Sequence, residues 1–241
     1  MVSQNSKKAT YNKDVAVRVP MITSEMVIDG KPNDESWENA TTYSFNNFYL
    51  DQKPDDKQNT KFKMLWSYEY LYFYFECEDK YITAREKTRD GQPYYDDCAE
   101  IFLIPTADKI NMHFGFELNL YKTPNDFVFL YNYYKNDKVV VKGYNPDYEV
   151  EVTVDGTVND NSDIDKKWTM EMAIPLKAFK LVGNTSPIKI GTKWNFMPLR
   201  QDRNDAKGER RTTSTMYPLI DKEKEDVHYP KSFGLIEFVK E

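Results

Sequence analysis

Two glutamates, Glu100 and Glu117, stand on stretches of alternating polarity and raise the first chemical question. Along Met112 to Tyr121, the residues Met112, Phe114, Phe116, Leu118 and Leu120 fall on one face of a strand, which leaves His113, Glu117, Asn119 and Tyr121 on the other. Ala99, Ile101 and Leu103 oppose Glu100 and Phe102 in the same way. A face that combines carboxylates, an amide and aromatic rings suits a sugar: flat rings pack on pyranose C–H surfaces, while carboxylates and amides bond the hydroxyls. A solvated sheet face decorated with tyrosines has the same periodicity, and the pattern alone does not separate the two. Glycoside hydrolysis also needs two carboxylates, set ~5 to 9.5 Å apart across the bond. With 39 acidic residues in the chain an accidental pair is expected, so catalysis is the lesser reading.

Other reactive side chains carry less. His113 and His228 show no ligand spacing with each other or with Cys77 and Cys98, so a zinc site is not expected. Asp155, Asp160, Asp163 and Asp165 crowd one loop with Asn159 and Asn161; such oxygen-rich sets can hold calcium, although the spacing is not that of an EF-hand. Cys77 and Cys98 lie near facing ends of successive strands, where a bridge is geometrically conceivable, and no histidine stands beside either to make a reactive thiol. Tyr94 and Tyr95, in the loop Gly91 to Asp97, are exposed rings with no packing reason to be there. Trp37, Trp66, Trp168 and Trp194 sit within apolar patterns and are expected in the core. Tyr70, Tyr72 and Tyr74 line one side of a strand, for which cross-strand packing is the simpler reason. Asn39-Ala-Thr41 and Asn184-Thr-Ser186 match the glycosylation acceptor pattern at chance frequency, and Arg210-Arg211 with Lys207 form a basic loop tip.

The elements that position these residues read as strands. The chain has 241 residues, of which 18 Tyr, 14 Phe and 4 Trp favour sheet over helix. Apolar residues recur with period two at Phe62, Met64 and Trp66 and at Leu71, Phe73 and Phe75. Further runs cover Ala99 to Ile104, Met112 to Tyr121, Phe127 to Tyr134, Val139 to Val141, Tyr148 to Val154, Trp168 to Ile174, Trp194 to Leu199 and Phe233 to Val239. That gives about ten or more strands without long helices between them, the pattern of an all-β antiparallel sandwich of jelly-roll type. Two short helical turns are expected, at Glu35 to Ala40 after a cap at Asn33 or Asp34, and from Pro175 to Phe179. Asp51 to Thr60, Asp155 to Lys167, Gln201 to Arg211 and Asp221 to Asp226 read as loops, because nothing in them can pack. The organisation expected is a flexible segment over residues 1–14 and a single β-sandwich domain over residues 15–241.

Composition narrows the partners. The 33 Lys+Arg against 39 Asp+Glu give a net charge of −6, which argues against nucleic acid or anionic lipid as a partner. No two glycines lie within two positions of each other, which removes dinucleotide and phosphate-loop fingerprints. No apolar stretch approaches the ~18 residues that cross a bilayer, so no membrane insertion is expected. A secreted protein would have lost its signal peptide from this sequence.

The run Val27-Ile-Asp-Gly-Lys-Pro-Asn-Asp-Glu-Ser-Trp37-Glu-Asn-Ala40 resembles the opening of the family 9 carbohydrate-binding modules and their relatives. Later segments match in the same order: Met64-Leu-Trp66 with Tyr70-Leu-Tyr72, Asp96-Asp-Cys-Ala-Glu-Ile-Phe102, Phe116-Glu-Leu-Asn119, Trp168-Thr-Met-Glu-Met-Ala-Ile-Pro-Leu176 and Tyr229-Pro-Lys-Ser-Phe-Gly-Leu235. The resemblance implies a jelly-roll sandwich that binds carbohydrate, such as xylan or cellulose fragments, and performs no chemistry of its own. It implies an extracellular, periplasmic or surface location, a catalytic glycoside hydrolase as partner, no cofactor, and in some members structural calcium. Two tryptophans sandwich the terminal sugar in members that bind chain ends. The first falls on Tyr94 and the second near Met216 or Tyr217, so both depart from tryptophan here. Glu100 matches a binding-face carboxylate, Glu117 a polar contact position, and Arg200 an arginine common in the broader group. Two rival readings remain open: a b-type haem electron-transfer domain of related sandwich fold, with ligands drawn from nine Met and two His, and a scaffold that contacts proteins through its tyrosines.

Overall fold

The computed structural model describes residues 11–51, 54–132, 137–181, 187–219 and 226–241. Strands numbered along the chain build two sheets. The larger runs β1 (Val17–Pro20), β14 (Gly234–Val239), β12 (Lys193–Arg203), β6 (Cys98–Ile104), β7 (Met112–Asn119), β8 (Pro124–Asn132) and β9 (Asp137–Val141), with β13 (Arg211–Thr215) joining β12 to β3 (Asn47–Phe48). The smaller runs β10 (Glu149–Asp155), β11 (Lys167–Pro175), β5 (Tyr70–Glu78), β4 (Thr60–Trp66) and β2 (Tyr43–Ser44). All named pairings are antiparallel except β1 with β14. The protein is an antiparallel β-sandwich of jelly-roll type with short 3₁₀ turns, as the alternation predicts.

Period-two patterning explains how the sheets close on each other. Phe62, Met64 and Trp66 of β4, Leu71, Phe73 and Phe75 of β5, and Trp168, Met170 and Met172 of β11 share one buried cluster with Ile101, Leu103, Phe114, Phe116 and Leu118 of the larger sheet. The four tryptophans are buried as expected, three of them with an indole hydrogen bond: Trp37 to Glu171 Oε1 (2.9 Å), Trp66 to Val239 O (2.9 Å) and Trp168 to Asp79 Oδ2 (2.9 Å). The outer face of the smaller sheet is closed by the segment around Trp37. Tyr72, Tyr74 and Ala173 pack there with Ile22, Trp37 and Leu65, and the Glu171 carboxylate takes the backbone N–H of Asp29 (2.9 Å) and Gly30 (3.0 Å). Tyr74 thus has the packing role, its ring 5.8 Å from Trp37. The outer face of the larger sheet is left to carry a site.

Three expectations change. The run Gln201 to Arg211 is not all loop: β12 continues to Arg203 and β13 begins at Arg211. Arg200, Gln201, Asp202 and Arg203 are buried because they bond one another and their neighbours, a way of packing polar residues that hydropathy does not show. The helical turns are 3₁₀, Glu35–Glu38 and Leu176–Leu181, and Pro175 ends β11 opposite Tyr70. Within the segment expected to be flexible, Tyr11 packs its ring 5.4 Å from Tyr43 and accepts a hydrogen bond from Ser44 N (3.1 Å). Residues 1–10, the sequon at Asn184, and residues 220–225 of the Asp221 loop lie outside the described residues.

Candidate functional site

The outer face of β6, β7, β8 and β12 forms the floor of a cleft of about 310 Å³. Glu100 and Glu117 are register partners on neighbouring strands, so both side chains rise from the same face next to each other. Each is held by one amide: Gln201 Nε2 donates to Glu100 Oε1 (2.8 Å) and Asn125 Nδ2 to Glu117 Oε2 (2.6 Å). Phe127, Phe129 and Val140 add an apolar wall, and Tyr94 and Tyr95 stand over one side. Burial pushes the Glu100 carboxyl well above its ordinary range, and Glu117 raises it further. Burial raises Glu117 to about 7, with the Asn125 amide and Lys142 opposing. Two adjoining carboxyls in so small a space cannot both ionise freely, and one proton between them is the arrangement of lowest cost.

The tyrosine loop is fixed by a pair of aspartates whose role the sequence reading did not see. Asp96 Oδ2 accepts Arg85 N (2.9 Å), Glu86 N (2.8 Å) and Asn119 Nδ2 (2.8 Å), while Asp97 accepts Thr83 N (2.6 Å) and Arg203 N (2.5 Å). Between them they anchor the 3₁₀ turn Pro93–Tyr95 to the strand that carries Glu100. Arg211 of β13 donates to Tyr94 O (3.3 Å) and lies over the Tyr95 ring at 5.4 Å. Tyr94 is half-buried with its ring 4.8 Å from that of Tyr95. Gly115 lets the floor close: a Cβ there would lie 2.2 Å from Phe127 Cζ. Gly115→Ala should destabilise by roughly 1–3 kcal/mol, through displacement of Phe127, in urea unfolding.

The structure brings Tyr94, Glu100 and Glu117 together and sends the other expected contacts elsewhere. Arg200 shares β12 with Gln201 but points to the opposite face, into the sandwich, where Nη2 bonds Asp79 Oδ2 (3.0 Å) and Asp202 Oδ1 (3.2 Å) and the guanidinium lies 5.5 Å from the Trp168 ring. Met216 and Tyr217 have no exposed surface: Tyr217 packs edge-on against Phe196 and over Gly234, where a Cβ would meet its ring at 2.1 Å. An assignment by position in the chain to a second aromatic platform is therefore corrected; these two residues are core. Gln201, Asn125, Phe127 and Phe129 complete the site instead. The alternation of β8 places the last three on one face, whereas Gln201 was hidden in a run taken for loop.

Metal and redox roles find poor support. Asp79, Asp97 and Asp202 are the carboxylates that gather closely enough for a cation among the described residues, and the cation already bound to two of them is Arg200. Both Asp97 oxygens face backbone N–H donors, so the donor set does not fit calcium. In the acidic loop, Asp165 caps Ile82 N (2.9 Å) and Thr157 N (2.7 Å), and Asn159 bonds Ala84 N (3.0 Å): these groups pin the loop to the chain. Cys77 and Cys98 are free and buried on different sheets; burial raises Cys77 to about 12 and Cys98 well above its ordinary value, which leaves neither a nucleophile. His113 Nε2 and His228 Nδ1 face each other at 3.1 Å in stacked rings against Phe129, so as haem ligands they would first have to part. Catalysis is no better served. Glu100 and Glu117 rise side by side from one sheet, whereas a hydrolytic pair must flank its bond from two sides. In two other hollows, around Tyr68 and Tyr70 at the β4–β5 turn, every lining carboxylate is exposed.

The molecule is a two-sheet sandwich with an aromatic loop over a floor of carboxylates and amides, and its class is that of carbohydrate-binding domains. This chain belongs to the carbohydrate family 9 binding domain-like family, whose model matches residues 28–241. Among solved structures, it is similar to a family 9 carbohydrate-binding module from Caldicellulosiruptor kristjanssonii in complex with cellotriose, with 20% identity and a TM-score of 0.62 over 93% of this chain and 95% of that one. The same organism's module in complex with glucose gives 19% identity and a TM-score of 0.64 over 94% and 97%. At such identities the likeness is one of fold. No curated protein matches the chain.

Proposed function

We propose that the cleft binds the end of an oligosaccharide non-covalently, with Tyr94 as the ring that faces the sugar and Glu100, Glu117 and their amide partners as its hydrogen-bonding floor. The observation that carries this reading is the convergence of a half-buried tyrosine with two amide-held carboxylates in one cleft. Support also comes from the solved modules of the same fold, crystallised with cellotriose and with glucose. Oligosaccharide fragments of polysaccharides, those of cellulose and xylan among them, are the ligand class we assign, and support of polysaccharide degradation outside the cell, beside a glycoside hydrolase, is the role. One aromatic face and a few hydrogen bonds give an affinity on the order of −5 to −8 kcal/mol, micromolar or weaker.

Calorimetry against cello-, xylo- and manno-oligosaccharides tests this. Tyr94→Ala should weaken binding about tenfold or more while leaving the thermal midpoint within about 2 °C, because a half-exposed ring adds little to the core. No heat with any of the three series would overturn the reading.

A further inference from the structure

The cleft floor presents more acceptors than its surroundings satisfy. Glu100 and Glu117 are 1% and 3% exposed, and among the described residues each has a single neutral amide as its side-chain donor. Asn125 is also 3% exposed, and its Oδ1 is buried with no hydrogen-bond partner among the described residues. Among the described residues no lysine or arginine forms an ion pair with either glutamate. Among the described residues, the two cations that border the cleft are engaged elsewhere: Lys142 Nζ donates to Asp90 O (2.6 Å) and Arg211 Nη1 to Tyr94 O (3.3 Å). Both are exposed, so water weakens their pull on the floor far more than it weakens the repulsion between the two buried carboxylates. The remaining titratable groups among the described residues that line the cleft are the Tyr94 and Tyr95 hydroxyls and His228, which burial holds neutral in its stack with His113.

Resting on the reading of the cleft as a sugar site, we propose that it selects a sugar bearing a primary ammonium in place of a hydroxyl, an amino sugar of the glucosamine type. An ammonium offers three N–H donors, which match Glu100, Glu117 and Asn125 Oδ1, whereas a hydroxyl offers one. Hydrogen bonds between charged partners are about twice as strong as neutral ones. The proton count differs too. A neutral sugar meets the pair with one proton between its two carboxyls. An ammonium replaces that proton, which passes to solvent and leaves both carboxylates ionised around the bound cation.

The test is calorimetry at pH 6, where a sugar amine is protonated, with three β-1,4-linked trimers that differ only at C2: the glucosamine trimer, its N-acetylated form and cellotriose. The glucosamine trimer should bind about tenfold tighter or more than cellotriose, and the N-acetylated trimer no tighter than cellotriose. In Glu117→Gln the ratio of glucosamine trimer to cellotriose should fall to within about threefold. Titrations of the unaltered protein in buffers of different ionisation enthalpy should show proton release with the glucosamine trimer and none with cellotriose, a readout that does not depend on the variant folding. Cellotriose binding as tightly as the glucosamine trimer would overturn this inference and leave the sugar-binding reading standing. Silence with all three would overturn both. Calcium chloride alone giving heat that disappears in Glu117→Gln would assign the three oxygens to a metal and overturn the inference as well.

Discussion

Arg200→Met should lower the unfolding free energy by about 3–5 kcal/mol in urea titrations, the largest effect expected of any single substitution here. The side chain is 1% exposed and supplies the positive charge for Asp79 and Asp202, which lie at 3.0 and 3.2 Å and are themselves nearly inaccessible. Methionine fills much of the same volume, so the loss measures charge left without a partner more than a cavity. Asp202, pushed up to about 7 by burial against the pull of Arg200, would then rise further and take up a proton. Two consequences separate this account from general misfolding. The loss should shrink in Arg200→Met combined with Asp202→Asn, because one of the orphaned carboxylates is gone. The urea slope should stay as in the parent, since the surface exposed on unfolding is unchanged. A loss under 1 kcal/mol would mean that Asp79 and Asp202 do not need the guanidinium.

The same residue shows where sequence reasoning reached its limit. Strand alternation told which face of β6 and β7 bears Glu100 and Glu117, and the loop of Tyr94 was visible because rings without apolar neighbours in sequence stand out. Those three meet in the cleft. Arg200 and Gln201 differ by one position and therefore point to opposite sides of β12, one into the interior and one onto the cleft floor. Choosing between them required the register of β12 against β6, which depends on a strand that continues through a polar run. Hydropathy marks such a run as loop, because its buried polar groups are satisfied by partners distant in sequence: Gln201 by Glu100, Arg200 by Asp79 and Arg203 N by Asp97. Met216 and Tyr217 fail for a related reason. A place along the chain does not say where a side chain points: both are buried, and the Tyr217 ring is accommodated in the core by Phe196 and the bare backbone of Gly234.

Raising the pH from 5 to 8 should destabilise the protein by roughly 3 kcal/mol through Glu117, and Glu117→Gln should remove that share of the loss. Folding carries Glu117 from an ordinary carboxyl value of 4.5 to about 7, and each pKa unit corresponds to about 1.4 kcal/mol. The sign follows from proton binding. Between those two values the folded chain holds a proton that the unfolded chain has lost, so stability is full below about 4.5, declines as the pH climbs through the window, and levels off above about 7. Glutamine keeps the shape and an acceptor oxygen for Asn125 but cannot ionise, so the variant should lose less stability than the parent between the two pH values and be the more stable protein at pH 8, while Glu100, still raised by burial, keeps part of the decline. Asp126, raised by burial to about 6 against the pull of Arg89, adds a decline of the same sign that Glu117→Gln leaves in place. Comparison of the two proteins at matched pH therefore isolates the cleft. Parallel pH curves for parent and variant would show that Glu117 is ionised without cost in the folded state, and the electrostatic picture of the floor would have to be abandoned.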